Sequence, residues 1–224
     1  MMTSFHTIEA THVTNITLNV ADLAKMTTFY STILGFSIKT RSEERTILNV
    51  GANGHTLTLN YLAEGRHPSF REAGLFHIAF LLPSRADLAN FLYHVSRLNI
   101  AVGGGDHLVS EALYFNDPEG NGIEVYQDRP SDQWQWNDDF VKMDTLEVNA
   151  DDLIAQRTNL GWQGWPANGK IGHLHLKTHD IKEAYDFYVS QLGLAHISKF
   201  PQALFMSTQY YHHHIAVNMW QSNQ

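Results

Sequence analysis

The chain has 224 residues, a net charge of −8, fourteen histidines and no cysteine. Apolar residues make up 43% and aromatics 12%, enough for a packed core, which excludes a disordered chain. The acidic balance without a basic cluster argues against nucleic acid, the lack of a run of about 18 apolar residues argues against a membrane span, and the lack of cysteine excludes disulfides, thiolate metal sites and cysteine nucleophiles.

The first stretch that alternates with period two begins at Asn15, which predicts a strand. Met1 to His6 before it shows neither a basic nor an apolar leader segment, so a cytoplasmic location is expected. Asp22 lies seven positions after Asn15 and is a natural helix N-cap, predicting a helix over residues 22–33. Gly35 follows, where a helix end needs a positive φ. Strand-like pieces then cover residues 37–41, 45–50 and 56–62. The order returns from His77, with Ser84 seven positions on, a helix over 85–98 and strands at 101–103, 112–116 and 122–127. Residues 128–172 hold four of the five tryptophans and predict a partly ordered connector with one short helix near 151–157. A third copy starts at His173, with Asp180 seven positions on, a helix over 180–191 and strands at 195–199, 203–207 and 213–220. Phe29, Phe91 and Phe187 all sit fourteen positions after the start of their copy.

The expected fold is therefore α+β, built from three β-α-β-β-β units, with no fourth in this chain. Residues 1–128 carry two units, 129–170 a Trp-rich connector and 171–224 the third unit, half of a second domain. Period two puts Ile78, Phe80, Ile123, Val125, Leu174 and Leu176 under the helices. His77, Glu124, Tyr126, His173 and His175 then share the other face. On the last strand His212 and His214 join that face, and His213 alone turns toward the helices. A face so rich in metal-ligand residue types suggests a lined cavity.

A histidine opening the first strand of such a unit and a glutamate on its last strand resemble the vicinal-oxygen-chelate, glyoxalase-type superfamily. Gly105-Asp106-His107, five residues, Leu113-Tyr114, two residues, Asp117-Pro118-Glu119-Gly120, three residues and Glu124 resemble the signature of its extradiol ring-cleaving dioxygenases, the catechol 2,3-dioxygenase-like proteins. Related enzymes usually have four units and carry the signature in the fourth; here it lies in the second. The resemblance implies an oxidoreductase that cleaves a small aromatic diol with O₂ on Fe(II), with Mn, Zn or Ni as other metals. It implies Glu124 and His77 as ligands and His107 and Tyr114 as the proton-handling pair.

The second imidazole follows from the repeat. Asn15 holds the equivalent place in unit one, where it is a poor ligand, and His173 holds it in unit three. Units two and three are thus expected to pair and to bring His77, Glu124 and His173 together. His212 or His214 is expected at the fourth corner, as a supporting group or an added ligand. Sequential pairing of units one and two is the competing arrangement and leaves two good ligands. A non-redox glyoxalase-type enzyme with four protein ligands, and a non-catalytic small-molecule-binding member, are the alternative functions. A homo-oligomer is expected if unit one lacks a partner. The turn at 117–120 should leave Glu119 in solvent, and His6, His12, His55, His67, His94 and His196 are read as structural or surface residues.

Overall fold

The computed structural model describes residues 5–69 and 71–222. The first repeat runs β1 (Asn15–Val20), α1 (Leu23–Thr32), β2 (Ser37–Arg41), β3 (Arg45–Asn49) and β4 (Thr56–Tyr61). The second runs β5 (Gly74–Leu81), α2 (Arg85–Arg97), β6 (Gly103–Asp106), β7 (Ser110–Asn116) and β8 (Gly122–Asp128). A small hairpin, β9 (Trp136–Asn137) with β10 (Phe140–Val141), and α3 (Ala150–Ala155) come next. The third repeat runs β11 (Lys170–Lys177), α4 (Ile181–Tyr185), β12 (Ala195–Phe200), β13 (Ala203–Ser207) and β14 (Ile215–Asn218). Its helix continues past Tyr185 as a π-helical stretch, Asp186–Gln191.

The three cap positions act alike. Asp22 accepts from the Lys25 N–H, Ser84 from Asp87, and Asp180 from Lys182 and Glu183. Each satisfies main-chain donors that the first helical turn leaves unpaired.

Two sheets result. One has the order β1-β4-β3-β2; the other has the order β12-β13-β14-β11-β5-β8-β7-β6. Within each repeat the first and last strands are parallel neighbours. The second and third repeats join through antiparallel β5 and β11, with His77 opposite His175, Ile78 opposite Leu174 and Ala79 opposite His173. Ile78, Phe80, Ile123 and Val125 pack under α2 in the main core, as their period predicts.

Two bulges set the faces of the joining strands. Ile171 pairs with Phe80 and His173 with Ala79, so Gly172 is the extra residue. Strict alternation would put Ile171 and His173 on one face. With the bulge, Ile171 enters the core while His173 turns to the opposite face. The second shift lies across from His175 and Leu176 and makes Phe76 the extra residue of β5, so Phe76 and His77 both line the cavity. His6 and His55 brace the first bulge: His6 donates to the Gly172 carbonyl (2.7 Å), and the Ile171 N–H donates to His55 Nδ1 (3.2 Å).

The first repeat is tied to the turn that precedes β8. The Tyr30 hydroxyl donates to Asp117 (2.9 Å), whose carboxylate also accepts from the main chain of Glu119 and Asn121. Glu119 is not the solvent-facing residue that the turn pattern suggests. Its carboxylate accepts from the Ala21 and Asp22 N–H groups at 2.8–3.1 Å, because those donors just before α1 have no strand partner. Trp162 and Trp165 of the segment between repeats pack on the main core. Arg85 reaches both Glu111 and Asp152 at 2.6 Å, holding α3 to α2.

A Cβ on Gly172 would lie 2.6 Å from two ring carbons of Tyr126 and closer still to its hydroxyl. Gly172→Ala is therefore expected to lower stability by about 1–3 kcal/mol, read from urea denaturation. An unchanged midpoint would show that the ring can move aside.

Candidate metal centre

The centre is built from the first strands of two repeats and the last strand of one. β5 supplies His77, β11 supplies His173 and β8 supplies Glu124. Glu124 Oε2 lies 2.9 Å from His77 Nε2 and 3.1 Å from His173 Nε2, and the two nitrogens are 3.3 Å apart. One ligand atom from each lies within 4.8 Å of the others, and all three residues are buried. Two imidazole nitrogens and a carboxylate oxygen converging on one buried point form a 2-His-1-carboxylate donor set, which fits a divalent transition metal. The sequence expectation for these three residues coincides with this cluster.

The repeat also shows what stands at the fourth corner. Glu124 pairs with Ala79, two residues after His77. Two residues after His173 is His175, and its partner on β14 is Ala216. The place equivalent to Glu124 is therefore a methyl group.

His212 and His214 do not reach that corner. β14 begins only at Ile215, so the two-residue period does not extend back over the triplet. His212 Nε2 donates to Asp128 (2.9 Å), and His214 Nε2 donates to the Phe5 carbonyl (3.0 Å). His213, expected under the helices, instead lies over His173 with ring centroids 3.9 Å apart and lines the cavity. Its Nδ1 meets His212 Nδ1 at 2.7 Å. His175 is the other cavity histidine not singled out from the sequence. Asn218 Nδ2 donates to its Nε2 (2.9 Å) and fixes the ring. Its place two residues after His173 was the available signal; His213 left none in a strand pattern.

His107 and Tyr114 meet at the same cavity. The Tyr114 hydroxyl is 2.6 Å from His107 Nε2, and His107 Nδ1 donates to the Asp144 carbonyl (2.8 Å). His107 sits in the β6–β7 turn, held by its own N–H on the Ser110 carbonyl and by Leu108 at φ 68°. The strand expected at 101–103 lies instead at Gly103–Asp106, β6, and holds the glycine run. A Cβ on Gly105 would be 3.1 Å from His107 Nε2 and 3.3 Å from the Tyr114 ring, so a side chain there would crowd the pair.

The cavity has a volume of about 250 Å³. Phe76, Met143, Phe200, Phe205 and Trp220 form its apolar wall, and none of its lining residues is lysine or arginine. A larger cleft of about 690 Å³ beside Asp128, Arg129 and Lys170 contains none of the three convergent donors.

Electrostatics prepare two of the three donors, Glu124 and His173, and Tyr114 beside them. Burial alone would raise the Glu124 carboxyl, but His173 and His77 hold it well below the usual range, so it is ionised. Burial pushes His173 down to about 4 despite the pull of Glu124, so it is neutral at pH 7. Burial, with Glu124 nearby, raises Tyr114 well above 10 and keeps its hydroxyl protonated.

Residues 11–125 match the model of the Glyoxalase/Bleomycin resistance protein/Dioxygenase superfamily. The chain belongs to this superfamily. It is 37% identical over 226 residues to a catechol-2,3-dioxygenase of Bacillus subtilis (strain 168), covering 98% of this chain and 78% of that protein. Among solved structures, a putative dioxygenase from Bacillus subtilis subsp. subtilis str. 168 matches 96% of this chain and 66% of its own, with TM-score 0.61 and 13% identity. A glyoxalase/dioxygenase from Nostoc punctiforme matches 52% of this chain and 90% of its own, with TM-score 0.46 and 24% identity. The fold is thus that of the glyoxalase/dioxygenase superfamily. The family match ends at Val125, so His173 lies beyond it. Among the described residues no helix is long and apolar enough to cross a membrane.

Burial around the site implies acid sensitivity. His6, His55, His173 and His214 are pushed by burial from 6.5 to about 2, 4, 4 and 3. Below pH 6.5 the unfolded chain binds protons that the folded chain refuses, so stability falls as pH falls. Each ring removes up to about 1.4 kcal/mol per pH unit until its folded value is reached. The metal-free protein should therefore unfold cooperatively between about pH 6 and pH 4, followed by near-ultraviolet circular dichroism. Constant stability down to pH 4.5 would mean that these rings protonate inside the fold.

Proposed function

We propose that the protein is an extradiol ring-cleaving dioxygenase that binds Fe(II) through His77, Glu124 and His173. The observation that carries this reading is the fourth corner. With Ala216 in place of a second carboxylate or imidazole, the set offers three donors on one side and leaves the cavity side open. A glyoxalase-type site with four protein ligands finds no fourth group there. When bound, iron supplies a centre at which a catechol and O₂ meet, and both oxygen atoms enter the ring-opened product.

The chain's own residues bind, orient and handle protons. The aromatic wall takes the ring face of the diol and keeps water out. Tyr114 stays protonated and offers its hydroxyl to a substrate oxygen. The Asp144 carbonyl holds a proton on His107 Nδ1, which leaves Nε2, beside the Tyr114 hydroxyl, to take a proton of the diol in turnover and return it. With no cation in the lining, the substrate we propose is a monocyclic catechol without an anionic substituent.

Glu124→Ala is expected to lose bound iron and O₂ uptake together, with metal content measured after anaerobic loading. His107→Ala should keep its iron and slow turnover by about 10²–10⁴-fold. The reverse order of effects would exchange the two roles. An iron-loaded protein that consumes no O₂ with any simple catechol would end the dioxygenase reading.

Catechol and 4-methylcatechol should exceed 3,4-dihydroxybenzoate in kcat/KM by at least about tenfold, since a buried carboxylate there meets no counter-charge. Preference for the acid would overturn the substrate class while leaving the reaction in place.

A further inference from the structure

The cavity has a closed end and a mouth. Of its lining residues, His77, Ser110, Glu124, His175, Phe205 and His213 are buried. Asp144, Thr145 and Trp220 are the exposed ones. The buried set includes two of the three candidate donors, so the exposed trio forms the mouth. Asp144 and Thr145 belong to the segment between the second and third repeats, and Trp220 follows β14.

Both elements of the mouth are held by hydrogen bonds. Leu146 and Asp106 exchange main-chain N–H···O bonds of 2.9 Å, which fix the segment that carries Asp144. The Asp144 carbonyl is committed to His107 Nδ1, whereas its carboxylate accepts from the Thr145 N–H (2.8 Å) and enters no ion pair among the described residues. Trp220 Nε1 donates to the Pro201 carbonyl (3.0 Å), and its main-chain N–H donates to Asn218 Oδ1 (3.1 Å). Its ring meets Phe76, His175 and Phe200 in T-shaped contacts, with centroids 5.8, 5.5 and 5.9 Å away, and is still 40% exposed. Anchored on those sides, the indole keeps its remaining surface for the mouth.

A carboxylate without a counter-charge and an indole are the two kinds of group that attract an organic cation, one by its charge and one by the negative face of its ring. No lysine or arginine lines the cavity to compete. Lys199, next to the wall residue Phe200, instead lies over the Phe140 ring, 4.0 Å from its centroid. A diol whose two oxygens go to the donor end directs its ring carbons 4 and 5 away from that end, toward the mouth. A charge at the tip of a short arm on carbon 4 then stays clear of the apolar wall, where burying it would be costly, and sits among the exposed residues.

We propose, resting on the dioxygenase reading, that the substrate is a catechol with an alkylammonium arm on carbon 4, and that Asp144 and Trp220 select the cation. The iron-loaded protein should show a kcat/KM for 4-(2-aminoethyl)catechol at least about fivefold above that for 4-ethylcatechol at low salt. The ratio should shrink in about 0.5 M salt, as screening weakens the contribution of the exposed carboxylate. Asp144→Asn keeps the main-chain carbonyl and should lower the ratio by about two- to threefold; Trp220→Leu should lower it by a similar factor. Anaerobic calorimetry on the metal-loaded protein reads the same preference as a ratio of Kd values, without turnover. A preference in Kd with no O₂ uptake would end the dioxygenase reading and leave the cation-selective mouth standing. A wild-type ratio near one by both measurements, or a ratio that Asp144→Asn leaves as it was, overturns the proposal.

Discussion

The antiparallel pairing of β5 with β11 is the constraint on which the rest of the structure depends. It brings together two first strands that lie 96 residues apart, counted between His77 and His173. Register is critical because a slip of one residue would turn every side chain to the other face. The two bulges reconcile two demands on the same strands. Ile171 must reach the core and His173 the cavity, and Phe76 must line the cavity beside His77. The glycine at position 172 both forms the bulge and leaves room for the Tyr126 ring to cross β11 and meet the Tyr211 hydroxyl at 2.6 Å.

The site is expensive for the fold that holds it. Glu124 is 3% exposed and ionised, and His173 and His213 near it are buried and neutral. Groups of this kind reduce stability unless each finds a partner. Here Glu124 has two imidazoles, His175 has Asn218, and His212 has Asp128. His173 Nδ1 is buried without a hydrogen-bond partner in the structure. Three donors brought together in this way also link folding to cation binding, because the unfolded chain does not assemble them.

The first repeat shows the same unit without the chemistry. Its strands, cap and helix follow the other two, yet Asn15 and Thr17 stand where His77 and Ala79 stand in the second repeat. It contributes instead by contact. Tyr30 bonds Asp117, and the N–H groups before α1 hold Glu119, on either side of the turn that launches β8 and its Glu124. The position of a metal-ligand candidate in one repeat thus rests partly on a repeat that supplies none.

By itself the sequence determined the repeated unit, its three helix caps and the face assigned to His77, Glu124 and His173. Those are consequences of local rules: period two along a strand, and a side chain that satisfies the first N–H groups of a helix. Asn15 against His77 and His173 was enough to select which repeats would share a site. The fate of the His212–His214 triplet was decided only by tertiary structure. Alternation assigns faces only within a strand, and β14 starts after the triplet, so the chain there follows Asp128, Phe5 and the His173 ring instead. Likewise Glu119 looked free because its partners, Ala21 and Asp22, lie almost a hundred residues away. Long-range partners leave no mark on local pattern, and that is where sequence reading ended and the fold decided.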